Sequence, residues 1–133
     1  MAIKDRKRIT LSKHKERVQK LVNAYIRKRD SGDGWFTCIS CGKTLPVEKM
    51  NAGHYVPVGK SQGLRFDDSN IHGECIGCNG FDKFHLVPYR KNLIAKIGID
   101  KVEWLEAHAH DLKKWTRDEL EQLEQYYTQL LAN

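Results

Sequence analysis

A chain of 133 residues, 40% hydrophobic and 30% charged, fits one small globular domain with a modest core. No apolar run reaches membrane-spanning length, and the basic first residues lack the apolar segment of a secretory signal, so a reducing cytoplasm is the expected compartment. The formal charge of +6 is uneven: residues 1–30 hold eleven Lys or Arg against three acids, and the rest hold twelve against fourteen. That asymmetry points to a polyanion such as DNA, or more plainly to a solvated helix face.

Residues 1–11 read as a basic, disordered lead. A helix is expected over 12–30, where Val18, Leu21, Val22, Tyr25 and Ile26 recur at helical spacing. The turn formers of "DSGDG" at 30–34 stop it. "WFTCISCGKTLP" (35–46) reads as two short strands around a cysteine turn, "AGHYVPV" (52–58) as a third strand, and Gly59–Ser69 as a polar loop. Beyond Cys78 the pattern is helical. Pro88 suits a first turn, and the stripe of Leu93, Ile94 and Ile97 is closed by Gly98. A short helix follows over 101–108. Thr116 and Glu119 have capping-box spacing and open a last helix through Leu120, Leu123, Tyr127, Leu130 and Leu131. The expected fold class is α+β, a single domain over 1–133 with a small β centre at 35–87 and a helical part at 88–133.

The four cysteines fall as Cys38-x2-Cys41 and Cys75-x2-Cys78. A CxxC turn brings two thiolates to one ion, and two such turns complete a tetrahedral zinc site. Redox CxxC chemistry is the rival, but two separate motifs without a thioredoxin-like βαβ pattern argue against it. A four-thiolate site is closed and does no chemistry; it clamps residue 38 to residue 78 and fixes what lies between. Within that clamp sit His54 on a strand, Asn70 at the loop end, and Asn79 directly after the last cysteine. Phosphodiester hydrolysis needs a base for water and a cation for the charge that develops on phosphate. A neutral imidazole supplies the first, a hard asparagine oxygen suits Mg²⁺, and a second asparagine can bond loop backbone.

CxxC, His54, Asn70 and "CxxCN" together resemble the zinc-clamped HNH nucleases, which carry such residues on a ββα-metal fold. The closer resemblance is to the phage lambda NinG (Rap) recombination endonuclease family. It rests on "CISCG", "AGHY", "LRF", "NIH-x-x-C-x-x-CN" and "LVPYR", and extends from about Val22 to the last helix. The resemblance implies an HNH-like core over 35–87 and metal-dependent cutting of branched DNA, namely D-loops and Holliday junctions, by a phage- or prophage-encoded enzyme in the bacterial cytoplasm. It implies His54 as general base, Asn70 as its positioner, and Asn79 as a ligand of a catalytic Mg²⁺ or Mn²⁺. Cys38, Cys41, Cys75 and Cys78 would hold one structural Zn²⁺ per chain.

The chain also departs from the pattern. Many HNH nucleases carry an Asp ligand just before the catalytic histidine, and here that residue is Gly53; Asn51 and His85 stand where the NinG family often has Asp and Asn. His85 is therefore a candidate second ligand, with Asp82, three residues after Asn79, as a further source of charge. His72 is read as a side chain supporting a ligand or the knuckle backbone, with a purely structural role as the alternative. Lys60, Arg65, Arg90 and Lys91 are candidate phosphate contacts, and paired cuts would suit a homodimer through the C-terminal helices. His108 and His110 near a helix end and His14 in the basic arm are given no function. Two rival readings remain: a non-catalytic zinc module that binds DNA or a partner protein, and an HNH nuclease of plain duplex.

Overall fold

The computed structural model describes residues 9–133, so most of the expected basic lead lies outside the described residues. Helix α1, Leu11–Asp30, is opened by Thr10, whose side chain accepts from the Lys13 N–H. It closes with Arg27, Lys28 and Arg29 at its negative end. It buries His14, Val18, Val22 and Ile26, one residue per turn on one face. Helix α5, Arg117–Ala132, covers that face with Leu120 and Tyr127. Its capping box at Thr116 and Glu119 forms as expected. Tyr25 meets Tyr127 at 5.5 Å between ring centroids, and Lys28 Nζ donates to the terminal carbonyl of Asn133 at 2.8 Å.

The β centre consists of two small sheets. In the first, β1 (Ser31–Gly32), β2 (Trp35–Thr37) and β3 (Thr44–Pro46) pair antiparallel in that order. Asp33 and Gly34, both at positive φ, make the tight turn between β1 and β2, as an Asp-Gly pair is suited to do. The helix stop read from "DSGDG" is therefore also a hairpin. The second sheet pairs β4 (Met50–His54) with β5 (Ile71–Cys75), Met50 opposite Cys75 and His54 opposite Ile71.

The strands depart from the expected layout in two places. The strand read over 52–58 runs instead over Met50–His54, because after Tyr55 the chain turns at Pro57, whose carbonyl accepts from the N–H groups of Lys60 and Ser61. Strand β5 has no counterpart in the periodicity. All of its residues but Cys75 are buried, so the polar-apolar alternation that marks a half-exposed strand is missing.

Helix α2, Ile76–Phe81, follows β5 without a loop, the Cys75 sulfur accepting from the Cys78 N–H at its start. Asn79 thus lies inside this helix. Then come α3 (Leu86–Ile97) and α4 (Ile99–Ala107), joined at Gly98 with φ +91°. Ile39 of the first knuckle and the 55–64 loop pack with Tyr89, Leu93, Val102 and Leu105 in a second core. No helix among the described residues is long and apolar enough to cross a membrane.

Candidate functional site

Cys38 and Cys41 lie on the turn between β2 and β3, and Cys75 and Cys78 at the junction of β5 and α2. Gly42, at φ +75°, closes the first turn by donating to the Cys38 carbonyl at 2.9 Å. The four Sγ atoms all lie within 4.8 Å of one another, Cys41 and Cys75 at 3.9 Å. Sulfurs at the corners of a zinc tetrahedron stand about 3.8 Å apart. Backbone N–H groups of Cys41 and Cys75 point at the Cys38 sulfur, at 3.4 and 3.2 Å, which favours thiolate. Burial, and then the neighbouring Cys75, pushes the Cys78 thiol upward, a direction that a bound dication reverses. The four cysteines form a site that can hold a metal such as zinc.

His54 ends β4 half-buried. Its Nε2 lies 2.9 Å from the Arg65 carbonyl, and a carbonyl only accepts, so Nε2 carries the proton and Nδ1 the lone pair. Nδ1 has no hydrogen-bond partner among the described residues. Burial lowers the His54 pKa, and the Arg65 carbonyl opposes that shift only in part. The neutral, basic form is therefore the one held at neutral pH.

The loop that presents this carbonyl is held by Asn70, which is fully buried. Its Oδ1 accepts from Val56 N–H at 2.9 Å, and its Nδ2 donates to the carbonyls of Val56 at 3.0 Å and Leu64 at 3.3 Å. Its own carbonyl accepts from the Tyr55 N–H at 2.8 Å. One side chain thus ties both ends of the 56–64 loop to the start of β5, the strand paired with the one that carries His54. Tyr89, fully buried on α3, donates its hydroxyl to the Gly53 carbonyl at 2.6 Å.

Asn79 is exposed on α2 with its Oδ1 facing Gly53, 3.3 Å from where a Cβ there would stand. His85 reaches the same end of the sheet, its Nδ1 2.6 Å from an oxygen of Glu74. Asp82 does not. Helix α2 ends at Phe81, and Asp82 turns its Oδ1 to the Phe84 N–H at 2.9 Å, so it does not share a helical face with Asn79.

The contacts of His72 fit the structural one of its two readings. It touches neither knuckle nor ligand. Nε2 donates to the Ser69 carbonyl at 2.8 Å, and Nδ1 accepts from Lys96 at 2.8 Å and Arg29 at 3.1 Å. Burial, and next Lys96, lowers its pKa to about 4. Asp30 completes that cluster. Burial opposes its charge, but Arg29, the Gly73 N–H and Lys96 hold it at about 2.

The four candidate phosphate contacts divide evenly. Arg65 Nε donates to Gln19 at 3.1 Å, and Arg90 grips Glu106 at 2.7 and 3.0 Å. Lys60 and Lys91 are exposed with no ion-pair partner among the described residues. His14, read as part of a basic arm, is buried against Glu124 at 3.0 Å.

No motif of the sequence marks Glu74. It is fully buried on β5 and accepts from Ser40 Oγ and His85 through Oε2, while Oε1 has no protein partner. Its one signal was an acid in the otherwise buried run "IHGEC".

Comparison with known proteins gives one family. A model described as "Bacteriophage Lambda NinG protein" matches residues 1–133. The chain is 41% identical over 118 residues to a protein named Protein ninG of Salmonella phage P22, covering 89% of this chain and 56% of that protein. It is 40% identical over 118 residues to the Protein ninG of Escherichia phage lambda, covering 89% of this chain and 55% of that protein. The chain therefore spans about half the length of the curated relatives it matches. No solved structure matches it. Matched along its whole length by the family model, the chain belongs to the NinG family of phage lambda.

Proposed function

We propose that the chain is a metal-dependent, HNH-type endonuclease of branched DNA, acting on recombination intermediates in the phage-infected or prophage-bearing cell. The observation that carries the reading is His54. It is a half-buried imidazole whose proton is fixed on Nε2 by a carbonyl, in a loop secured by Asn70, one residue from the Gly53 that Asn79 faces. In this reading β4, β5 and α2 form the ββα unit, and one zinc ion in the cysteine site fixes its ends. His54 Nδ1 takes the proton of the attacking water. A hard divalent cation held at Asn79 and His85, Mg²⁺ or Mn²⁺, would stabilise charge on the phosphate and leaving oxygen.

Phe81 and Phe84, 82% and 76% exposed and two and five residues after Asn79 in the chain, favour a branched substrate over plain duplex. Unpaired bases at a branch can stack on such rings, whereas paired bases cannot. Lys60 and Lys91 are the basic groups best placed to meet flanking phosphates. A homodimer making paired cuts would use a surface other than the apolar stripe of α5, which α1 covers.

Cleavage of end-labelled four-way junction, D-loop and linear duplex with Mg²⁺, Mn²⁺ or EDTA tests the reading. Metal-dependent cuts confined to branched substrates and absent from His54→Ala are expected. Tight binding without cuts under every metal would leave a non-catalytic zinc module instead, and equal cutting of linear duplex would leave a duplex nuclease.

A further inference from the structure

Where HNH relatives offer a carboxylate just before the histidine, this chain has Gly53, which looks like a lost ligand. The space beside Gly53 is nevertheless occupied. A Cβ built there would run into Glu74 Oε1 and stand 3.1 Å from Glu74 Cβ. A side chain at 53 would therefore push Glu74 Oε1 from its present place, and the glycine leaves that place open to the glutamate. In the register of the sheet His72 lies opposite Gly53, and Asn51 opposite Glu74. Alternation then puts Gly53 and Glu74 on one face, as diagonal neighbours.

The two oxygens of Glu74 are treated differently. Oε2 accepts from Ser40 Oγ and sits 2.6 Å from His85 Nδ1. Oε1 is buried with no protein partner and lies within the same small space as Asn79 Oδ1, which is 3.3 Å from the Gly53 Cβ position. A buried carboxylate oxygen without a donor is costly, and a cation is the partner that removes the cost.

We propose that Glu74 supplies the carboxylate of the divalent-cation site, Oε1 and Asn79 Oδ1 binding a hard cation such as Mg²⁺ or Mn²⁺ through the space left by Gly53. His85 and Ser40 hold Oε2 and so aim Oε1. The role of this cation rests on the nuclease reading, but its binding does not.

The experiment is titration of zinc-loaded protein with Mn²⁺, followed by loss of the free-ion EPR signal. Wild type is expected to bind one Mn²⁺ beyond its zinc. Glu74→Gln, which keeps shape and most hydrogen bonding, should weaken binding more than about tenfold with zinc content unchanged. The exchange Gly53→Asp with Glu74→Ser, which moves the acid across the sheet, should restore it. A Glu74→Gln titration superimposable on wild type, or no Mn²⁺ uptake by wild type, would overturn the proposal. Should Glu74→Gln fail to retain zinc, wild type decides by NMR. Mn²⁺ must broaden the Asn79 side-chain amide before that of Asn92, and equal broadening overturns the site. Mn²⁺ binding that depends on Glu74 without DNA cleavage would keep this site and sink the nuclease. Cleavage with an unaltered Glu74→Gln titration would do the reverse.

Discussion

His54 and His72 stand at the same end of one two-stranded sheet, His72 directly opposite the residue before His54. Each donates Nε2–H to a backbone carbonyl from the loop between the strands, Arg65 in one case and Ser69 in the other. In both, burial is the largest cause of a lowered pKa. What differs is the other nitrogen. Nδ1 of His72 faces Lys96 and Arg29, with Asp30 behind them, and is fully used as an acceptor. Nδ1 of His54 has no hydrogen-bond partner among the described residues. His72 is the more deeply buried of the two, but burial lowers both pKa values, so function has to be read from the unused lone pair. A histidine whose two nitrogens are both satisfied by the fold is part of the scaffold, whereas one with a single fixed nitrogen can accept a proton.

Substitution tests that contrast directly. His54→Ala should lower cleavage by about 10³-fold, within the usual range for a general base, while shifting the urea midpoint little. His72→Ala should do the opposite, destabilising by about 2 kcal/mol through loss of a buried, hydrogen-bonded group and leaving cleavage per folded molecule within a few fold. Stability loss in the first variant with full activity would break the comparison.

The pH dependence sharpens it. The His72 pKa falls from 6.5 to about 4 on folding, so between those values the unfolded chain binds the proton more readily. Stability from this group is complete above pH 6.5 and is lost as pH falls towards 4, by about 3 kcal/mol. Asp30, held at about 2, has the usual carboxylate sign; its contribution persists to about pH 4 and is lost only as pH falls through 2. Urea titrations at pH 7 and pH 4.5 should show the His72 step in wild type and its absence in His72→Ala. An equal step in both would assign it elsewhere.

How far the sequence discloses this arrangement varies with the kind of signal. The knuckles were legible because CxxC spacing is local chemistry, and the last helix because a capping box is local geometry. His14 was legible but misread: it continues the series Val18, Val22, Ile26 one turn earlier, a position that the apolar stripe itself marks as buried. His72 and Glu74 could not be placed, because their faces depend on the register of β5 and that strand carries no alternation. The pairing of Gly53 with Glu74 is a contact across the sheet. Gly53 alone reads as an absence until the residue that fills its space is known.

Asn70→Ala asks whether the loop is what separates the two histidines. The substitution removes three side-chain hydrogen bonds, to Val56 twice and Leu64 once, and should cost about 2 kcal/mol. It should also release the Arg65 carbonyl from His54, so activity per folded molecule falls as well, although His54 itself is untouched. Unchanged activity in the folded fraction would mean that the carbonyl is held by other means.

The smallest effects belong to the basic residues. If Lys60 and Lys91 meet phosphate, each alanine substitution should lower the slope of log affinity against log salt by about 1, from about −4 to −5 for some five contacts. Arg90 is already engaged by Glu106, so Arg90→Ala should leave the slope unaltered. A slope that responds to Arg90 and not to Lys60 would mean that this ion pair opens on DNA, placing the binding track along α3 and α4 rather than beside the His54 loop.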